Sequence, residues 1–210
     1  ALVIIFQPEL RNALERLGRK NFLTAFFSFD FQKASTVRFS EKTITEIVKA
    51  CYEMGKVKTG ALIVIERDVM LNEYIRTGIP LDSLVSSQLL INIFEHNTPL
   101  HDGAIIVRGD RIVAATCYLP LSDNMELSKE LGTRHRAAIG ISEVCDALTI
   151  VVSEETGRVS IAENGKLTEG VSDEQLRAKL IELQNPEKEP EENSKPRLGR
   201  RGKNETKHNS

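Results

Sequence analysis

Two stretches of this chain carry side chains whose types and order can do chemistry. The first is "PLHDGAIIV", residues 99–107, where His101 and Asp102 stand side by side, followed by Gly103, Ala104 and an apolar run. A carboxylate next to an imidazole can hold a divalent cation, and a glycine lets a ligand approach the backbone closely. The plainer reading is a strand-entry turn, where aspartate is common. The second is "LGTRHRAAIG", residues 131–140, with Thr133 as a predicted N-cap and Arg134, His135 and Arg136 in the first turn of a predicted helix. A helix N-terminus carries about half a positive charge, so two arginines there are unfavourable unless an anion sits among them. A phosphate fits that place, gripped by free N–H groups and planar guanidinium forks. The alternative is a basic surface turn paired with neighbouring acids.

Other candidates depend on these two stretches. Glu155 is at the tip of a predicted hairpin and reads either as a further oxygen ligand or as a solvated turn residue. Tyr118 closes a predicted strand and could stack on a base or be a half-buried core residue. His96 follows a predicted helix and reads as structural or exposed. Cys51, Cys117 and Cys145 are widely spaced with no C-x-x-C, which predicts buried, reduced thiols rather than a zinc site or disulfide framework. There is no P-loop, no G-x-G-x-x-G and no G-x-S-x-G. A formal net charge of −2 gives no global nucleic-acid signal, so no nucleic-acid partner is expected.

The elements that must position these residues follow from periodicity. Ser40 caps a predicted helix over 40–58, with Ile44, Ile47, Val48, Cys51 and Met54 as its stripe and Gly55 as its end. Residues 61–67, "ALIVIER", read as a buried strand. Residues 82–95 read as a helix. Gly109-Asp110 separates two alternating runs as a hairpin turn. A helix is predicted over 133–145, and a second hairpin over 147–164 turns near Thr156-Gly157. A Ser-x-x-Gln box opens a helix over 172–183. With 210 residues, 40% of them hydrophobic, the chain suits one domain with extensions. The fold class is α/β (α+β): a mixed, largely antiparallel central sheet flanked by helices.

The ends differ. "ALVIIF" opens the chain without a basic n-region or cleavage site, and reads as a buried first strand or as the last turns of a membrane helix. Pro8 starts a predicted helix that stops at Gly18. From Pro186 onward the chain is acidic, then basic, with one leucine, a composition expected to be disordered. The expected division is residues 1–20 as the remnant of a transmembrane segment and linker helix, 21–184 as the catalytic domain, and 185–210 as a charged tail.

Asp102-Gly103-Ala104, with Arg134-His135-Arg136 about thirty residues later, resembles the paired motifs of the diadenylate cyclase (DAC, or DisA_N) domain family over roughly residues 21–170. The apolar start and following helix resemble its membrane-anchored bacterial type (the CdaA/DacA class), located at the cytoplasmic face of the membrane. The resemblance implies condensation of two ATP into 3′,5′-cyclic di-AMP with release of two pyrophosphates, and a divalent cofactor, Mn²⁺, Mg²⁺ or Co²⁺. It implies Asp102, Gly103, Ala104, Arg134, His135 and Arg136 as the catalytic set. Leu62 and Tyr118 would flank adenine, Gly103, Thr133, Arg134, Arg136 and Ser153 would complete the ATP site, and His101, Asp102 and Glu155 would ligate the metal.

One motif of each kind suffices for one ATP. Two domains related by a two-fold axis, in a face-to-face and transient homodimer, are therefore expected. Family regulators implied are a YbbR-domain membrane protein and phosphoglucosamine mutase. Two other classes stay open. One is a non-catalytic nucleotide-binding module, which would have no need of Asp102. The other is an HD-type phosphohydrolase, whose His-Asp pair would lie on a helix.

Overall fold

The computed structural model describes residues 38–124, 127–128 and 131–184. The "ALVIIF" segment, the helix predicted after Pro8 and the charged tail lie outside the described residues.

Helix α1 (Glu41–Lys56) forms where its stripe predicts, and Ile44, Ile47, Val48, Cys51 and Met54 are all buried. Ser40 caps it, its Oγ accepting from the Thr43 N–H at 3.3 Å. The Asp110 carboxylate, from a turn far along the chain, accepts from the Ser40 N–H at 2.7 Å and the Thr43 hydroxyl at 2.6 Å. Burial would raise the pKa of Asp110. The hydrogen bonds from Thr43 and Ser40 outweigh burial and hold it below the ordinary carboxylate value. A depressed carboxylate stabilises the fold above its unfolded pKa, and that contribution is lost as pH falls through the folded one. Asp110→Ala should cost about 1–2 kcal/mol at pH 7, and the deficit should shrink below about pH 4. Urea denaturation of variant and wild type at both pH values checks this; a deficit equal at both would remove the charge from the account.

Strands β1 (Ala61–Ile65), β2 (Ile79–Leu84), β3 (Ala104–Arg108), β4 (Arg111–Cys117), β5 (Leu148–Val152), β6 (Val159–Glu163) and β7 (Lys166–Thr168) form one sheet in the order β2-β4-β3-β1-β5-β6-β7. Only β1 and β3 run parallel; the other neighbours are antiparallel. The expected mixed, largely antiparallel sheet is what forms. Its central strands are apolar throughout because both faces are covered. Ala61, Ile63 and Ile65 point into one core, beneath α1, α3 (Ser87–Phe94) and α5 (Asp173–Gln184). Leu62 and Val64 point into the other, beneath α4 (Thr133–Val144) and the one-turn α2 (Asn72–Ile75). The result is three layers, helix on sheet on helix. The capping box of α5 forms in both directions, Ser172 N–H to Gln175 Oε1 at 2.8 Å and Gln175 N–H to Ser172 Oγ at 3.3 Å. All three cysteines are buried and unbridged.

The helix predicted over 82–95 is corrected. Residues 82–84 belong to edge strand β2, where Ser83 pairs with Ile112 and Leu84 with Arg111. The helix begins only after Ser86, whose Oγ accepts from the Leu89 N–H at 3.3 Å. Leu84 mimicked a helix-face leucine but is 63% exposed.

One more contact ties a helix end to a strand turn. Gly55, in the last turn of α1, meets Gly157, in the β5–β6 turn, backbone to backbone. A Cβ on Gly55 would lie 2.5 Å from the Gly157 carbonyl oxygen, and one on Gly157 would lie 2.2 Å from that of Gly55.

Candidate active site

A cavity of about 470 Å³ opens at one end of the sheet, where β1 and β3 begin and β4 and β5 finish. Leu62 comes from β1, Asp102 and Gly103 from the mouth of β3, and Cys117 and Tyr118 from the end of β4. Thr133, Arg134 and His135 come from the start of α4, and Ser153, Glu154 and Glu155 from the turn after β5. Both sequence motifs therefore face one space.

At the β3 mouth, Gly103 has φ +96°, a conformation that L side chains avoid. A Cβ there would sit 3.0 Å from the backbone of Thr116 and Cys117. Opposite it, Thr116 is itself left-handed, φ +58°, and the ladder register slips between Ala104 and Ile106. A β-branched residue in that region is strained, and such bulges re-aim the residues that follow. Here they bring Tyr118, 67% exposed, to the cavity, while its N–H donates to Thr77 Oγ1 at 2.9 Å. Tyr118 is thus no core residue. Ala104 is buried and pairs with Cys117; it supports the site without lining it.

His101 and Asp102 part company. Asp102 is exposed and lines the cavity. His101 does not line it: its Nδ1 lies 2.6 Å from the Thr98 carbonyl, and its ring meets His96 edge-on at 5.5 Å. Among the described residues, no group of three His, Cys, Asp or Glu side chains is placed to hold a metal ion. Of the predicted trio His101, Asp102 and Glu155, the two carboxylates line the cavity, while the Thr98 carbonyl engages only Nδ1 of His101 and leaves Nε2 as the nitrogen that can ligate. The pair also precedes a strand and lies outside any helix, which argues against the HD-type arrangement.

At α4, the N-cap is Gly132 with extended backbone, and no side chain caps the helix. The predicted cap at Thr133 is corrected; Thr133 is the first helical residue and faces the cavity. No acid occupies the first turn. Arg134 donates from Nη1 to Glu154 Oε2 at 2.5 Å, and its Nε is buried without a protein partner. Gly60 lies against this pair; a Cβ there would come within 2.9 Å of Arg134 Nη1 and 3.0 Å of Glu154 Oε2. His135 is half-buried. Burial lowers its pKa against the opposing pull of the Glu169 and Glu155 carboxylates, so its imidazole is neutral at pH 7. Arg136 is outside the lining; its carbonyl accepts the Ser122 N–H at 3.0 Å.

That bond anchors a strap over α4. Ser122 Oγ also donates to Glu143 Oε1 at 2.6 Å, and the strap passes so close that a Cβ on Gly140 would lie 2.2 Å from the Pro120 carbonyl oxygen. Leu119 and Leu121 on this strap form the apolar wall. Glu154, Gly60, Gly140 and the strap were missed in the sequence. Glu154 alone had a readable signal, as the neighbour of Glu155 in "SEETG".

The β5–β6 turn is braced from within. Ser153 donates its N–H to the Arg158 carbonyl at 3.0 Å, its carbonyl accepts from Gly157 N–H at 2.9 Å, and its Oγ accepts from Thr156 N–H at 3.2 Å.

Fold and cavity define a three-layer α/β domain with a pocket suited to a phosphorylated ligand, an arginine-bearing helix start facing a carboxylate at a strand mouth. The chain belongs to the DAC family, described as DisA bacterial checkpoint controller nucleotide-binding, whose profile matches residues 48–167. It is 56% identical over 180 residues to the cyclic di-AMP synthase CdaA of Bacillus subtilis, covering 86% of this chain and 64% of that one. It is 55% identical over 181 residues to a diadenylate cyclase of Listeria monocytogenes, with the same coverage. The chain thus spans somewhat under two thirds of the length of these relatives. A double mutant of DacA from Staphylococcus aureus superposes with TM-score 0.67 at 53% identity, covering 69% of this chain and 96% of that one. A hypothetical membrane spanning protein from Bacillus cereus superposes with TM-score 0.61 at 39% identity, covering 81% and 80%. Among the described residues, no helix is long and apolar enough to cross a membrane.

Proposed function

We propose that this chain is a diadenylate cyclase, joining two ATP molecules into 3′,5′-cyclic di-AMP and releasing two pyrophosphates. The observation that carries the reading is the meeting of Asp102-Gly103 and Thr133-Arg134-His135 in one cavity, in a chain similar to proteins named for that activity.

The ribose 3′-oxygen of one ATP attacks the α-phosphorus of the other in line. The bond from that phosphorus to the bridging oxygen breaks, pyrophosphate leaves, and the hydroxyl proton passes to a base. Asp102, exposed at the mouth of a rigid strand, orients and deprotonates the hydroxyl. Thr133, Arg134 and the free N–H groups of α4 hold phosphate oxygens, and neutral His135 orients them. Leu62 and Tyr118 enclose the adenine, with Ser153 beside the phosphates. Arg136 anchors the strap through its carbonyl, and its guanidinium, in the same first turn, would be a further phosphate contact.

A divalent cation, Mn²⁺, Mg²⁺ or Co²⁺, would be held by Asp102 and Glu155, with His101, oriented through its Nδ1 contact to Thr98, as a third ligand. Such ions need few protein ligands when phosphates supply the remaining oxygens, so two carboxylates beside a phosphate site fit one. When bound, it would acidify the hydroxyl and neutralise the triphosphate.

Each cavity holds one set of these groups, and the reaction needs two ATP facing one another. Two copies related by a two-fold axis therefore form the complete site. The protein acts at the cytoplasmic face of the membrane, where regulators such as a YbbR-domain protein and phosphoglucosamine mutase would reach it.

The test is incubation with ATP and each metal, with product separated by chromatography. Cyclic di-AMP and pyrophosphate are expected with metal and neither in EDTA; undiminished turnover in chelator would remove the cation. Specific activity should rise with enzyme concentration until the dimer saturates. A flat profile over two decades from a strictly monomeric protein would overturn the face-to-face arrangement.

A further inference from the structure

The cavity has an unexpected charge balance. Asp102, Glu154 and Glu155 line it with carboxylates, and among the described lining residues Arg134 is the one permanent cation, a formal net of −2 from three negative charges and one positive. A triphosphate, itself strongly anionic, would meet repulsion there. Glu154 sharpens the problem, because its Oε2 already occupies Arg134 Nη1 at 2.5 Å.

The pair is a fitted feature. Gly60 leaves room for it, since a Cβ there would fall within 3.0 Å of both partners and push their side-chain ends aside. The turn that presents Glu154 is fixed by the Ser153 hydrogen bonds and by the Gly55–Gly157 contact. It is also a displaceable pair. The Glu154 side chain is 63% exposed against 23% for Arg134, and ion pairs open to water are weak. A phosphate accompanied by a cation can therefore take the guanidinium from Glu154, whereas a bare triphosphate must displace one carboxylate while facing two more.

We propose that Glu154 is a positioning residue that holds Arg134 in a ready-made ion pair and makes triphosphate binding conditional on a divalent cation. This rests on the nucleotide reading of the cavity. It assigns the metal a part in affinity, before any chemistry, and assigns the enforcement of that requirement to a side chain that does not ligate the metal.

The test uses 3′-deoxy-ATP, which lacks the attacking hydroxyl, so that binding is read without turnover. Affinities are measured by titration calorimetry in Mn²⁺ and in EDTA. Wild type should bind at least about tenfold more weakly in EDTA, a difference of ~1.4 kcal/mol. Glu154→Gln keeps a hydrogen-bond acceptor for Arg134 and removes the charge. It should raise affinity in EDTA about fivefold or more, ~1 kcal/mol, and so collapse the metal dependence, whereas Glu154→Asp, which keeps the charge, should retain it. In an Arg134→Ala background the Glu154→Gln gain should vanish. A gain that persists without Arg134 would mean that Glu154 is only one more negative charge, and an unchanged Mn²⁺-to-EDTA ratio in Glu154→Gln would overturn the proposal directly. If wild type binds no 3′-deoxy-ATP even with Mn²⁺, the nucleotide reading itself fails, an outcome distinct from either.

Discussion

Asp102→Asn should abolish cyclic di-AMP synthesis, by at least about 10³-fold or ~4 kcal/mol in the barrier, while leaving the fold intact. The swap preserves shape. Asp102 is exposed, and substitutions at such positions usually change stability by no more than about 0.5 kcal/mol. What is lost is the charge that takes the hydroxyl proton and helps hold the cation. Nucleotide affinity measured with Mn²⁺ should fall far less than the rate, because Glu155 and the phosphates can still hold the cation and Tyr118, Leu62, Arg134 and the start of α4 contribute independently of Asp102. The measurement is initial rate together with calorimetric binding of 3′-deoxy-ATP. Variant activity within about threefold of wild type, ~0.7 kcal/mol, would remove Asp102 from the chemistry.

Gly140→Ala should destabilise the protein, against what helix propensity predicts. In an open helix the exchange is favourable by about 1 kcal/mol. Here the new methyl would meet the Pro120 carbonyl oxygen at 2.2 Å, the Ser122 nitrogen at 2.7 Å and the Leu121 carbonyl carbon at 2.8 Å. These are backbone atoms with no rotamer to change, so the strap must lift. Overpacking of this kind costs roughly 1–3 kcal/mol, and separating Ser122 from the Arg136 carbonyl and Glu143 adds about 1–3 kcal/mol. The clash wins, for a net loss of about 1–5 kcal/mol and a fall in Tm of roughly 2–20 °C. The lifted strap carries Leu119 and Leu121 with it, so the KM for ATP should rise more than kcat falls. A higher Tm in the variant would show that the strap does not bear on α4.

The sheet and its main helices were legible because burial on both faces leaves unbroken apolar runs such as "ALIVI", and because caps such as Ser40 and the Ser172–Gln175 box carry local signals. Residues 82–84 were not, since Leu84 and Val85 continue a helical spacing that only pairing with β4 contradicts. In the site, Asp102 and Arg134 stood out through adjacency and through a charge misplaced against a helix dipole. His101 was legible only as the neighbour of Asp102; the Thr98 carbonyl that takes its Nδ1 and orients the ring is a contact the sequence does not signal. Thr133 was misplaced by one position because a hydroxyl suggests a cap and the extended Gly132 does that work unaided. Gly60, Gly140 and Glu154 act through residues distant in the chain, and no local pattern announces such contacts.

The meeting of Gly55 and Gly157 constrains how sequences of this fold can drift. Most tight contacts can be restored after one partner changes by trimming the other, because side chains supply the excess volume. In this contact neither partner has a side chain to trim, and each Cβ would strike the other's carbonyl oxygen. No second substitution at either position can rescue the first. Two residues a hundred positions apart, neither of them fully buried, are locked as firmly as any core position. A deep mutational scan should show both as intolerant columns with no compensating partner, marking the site's frame rather than its chemistry.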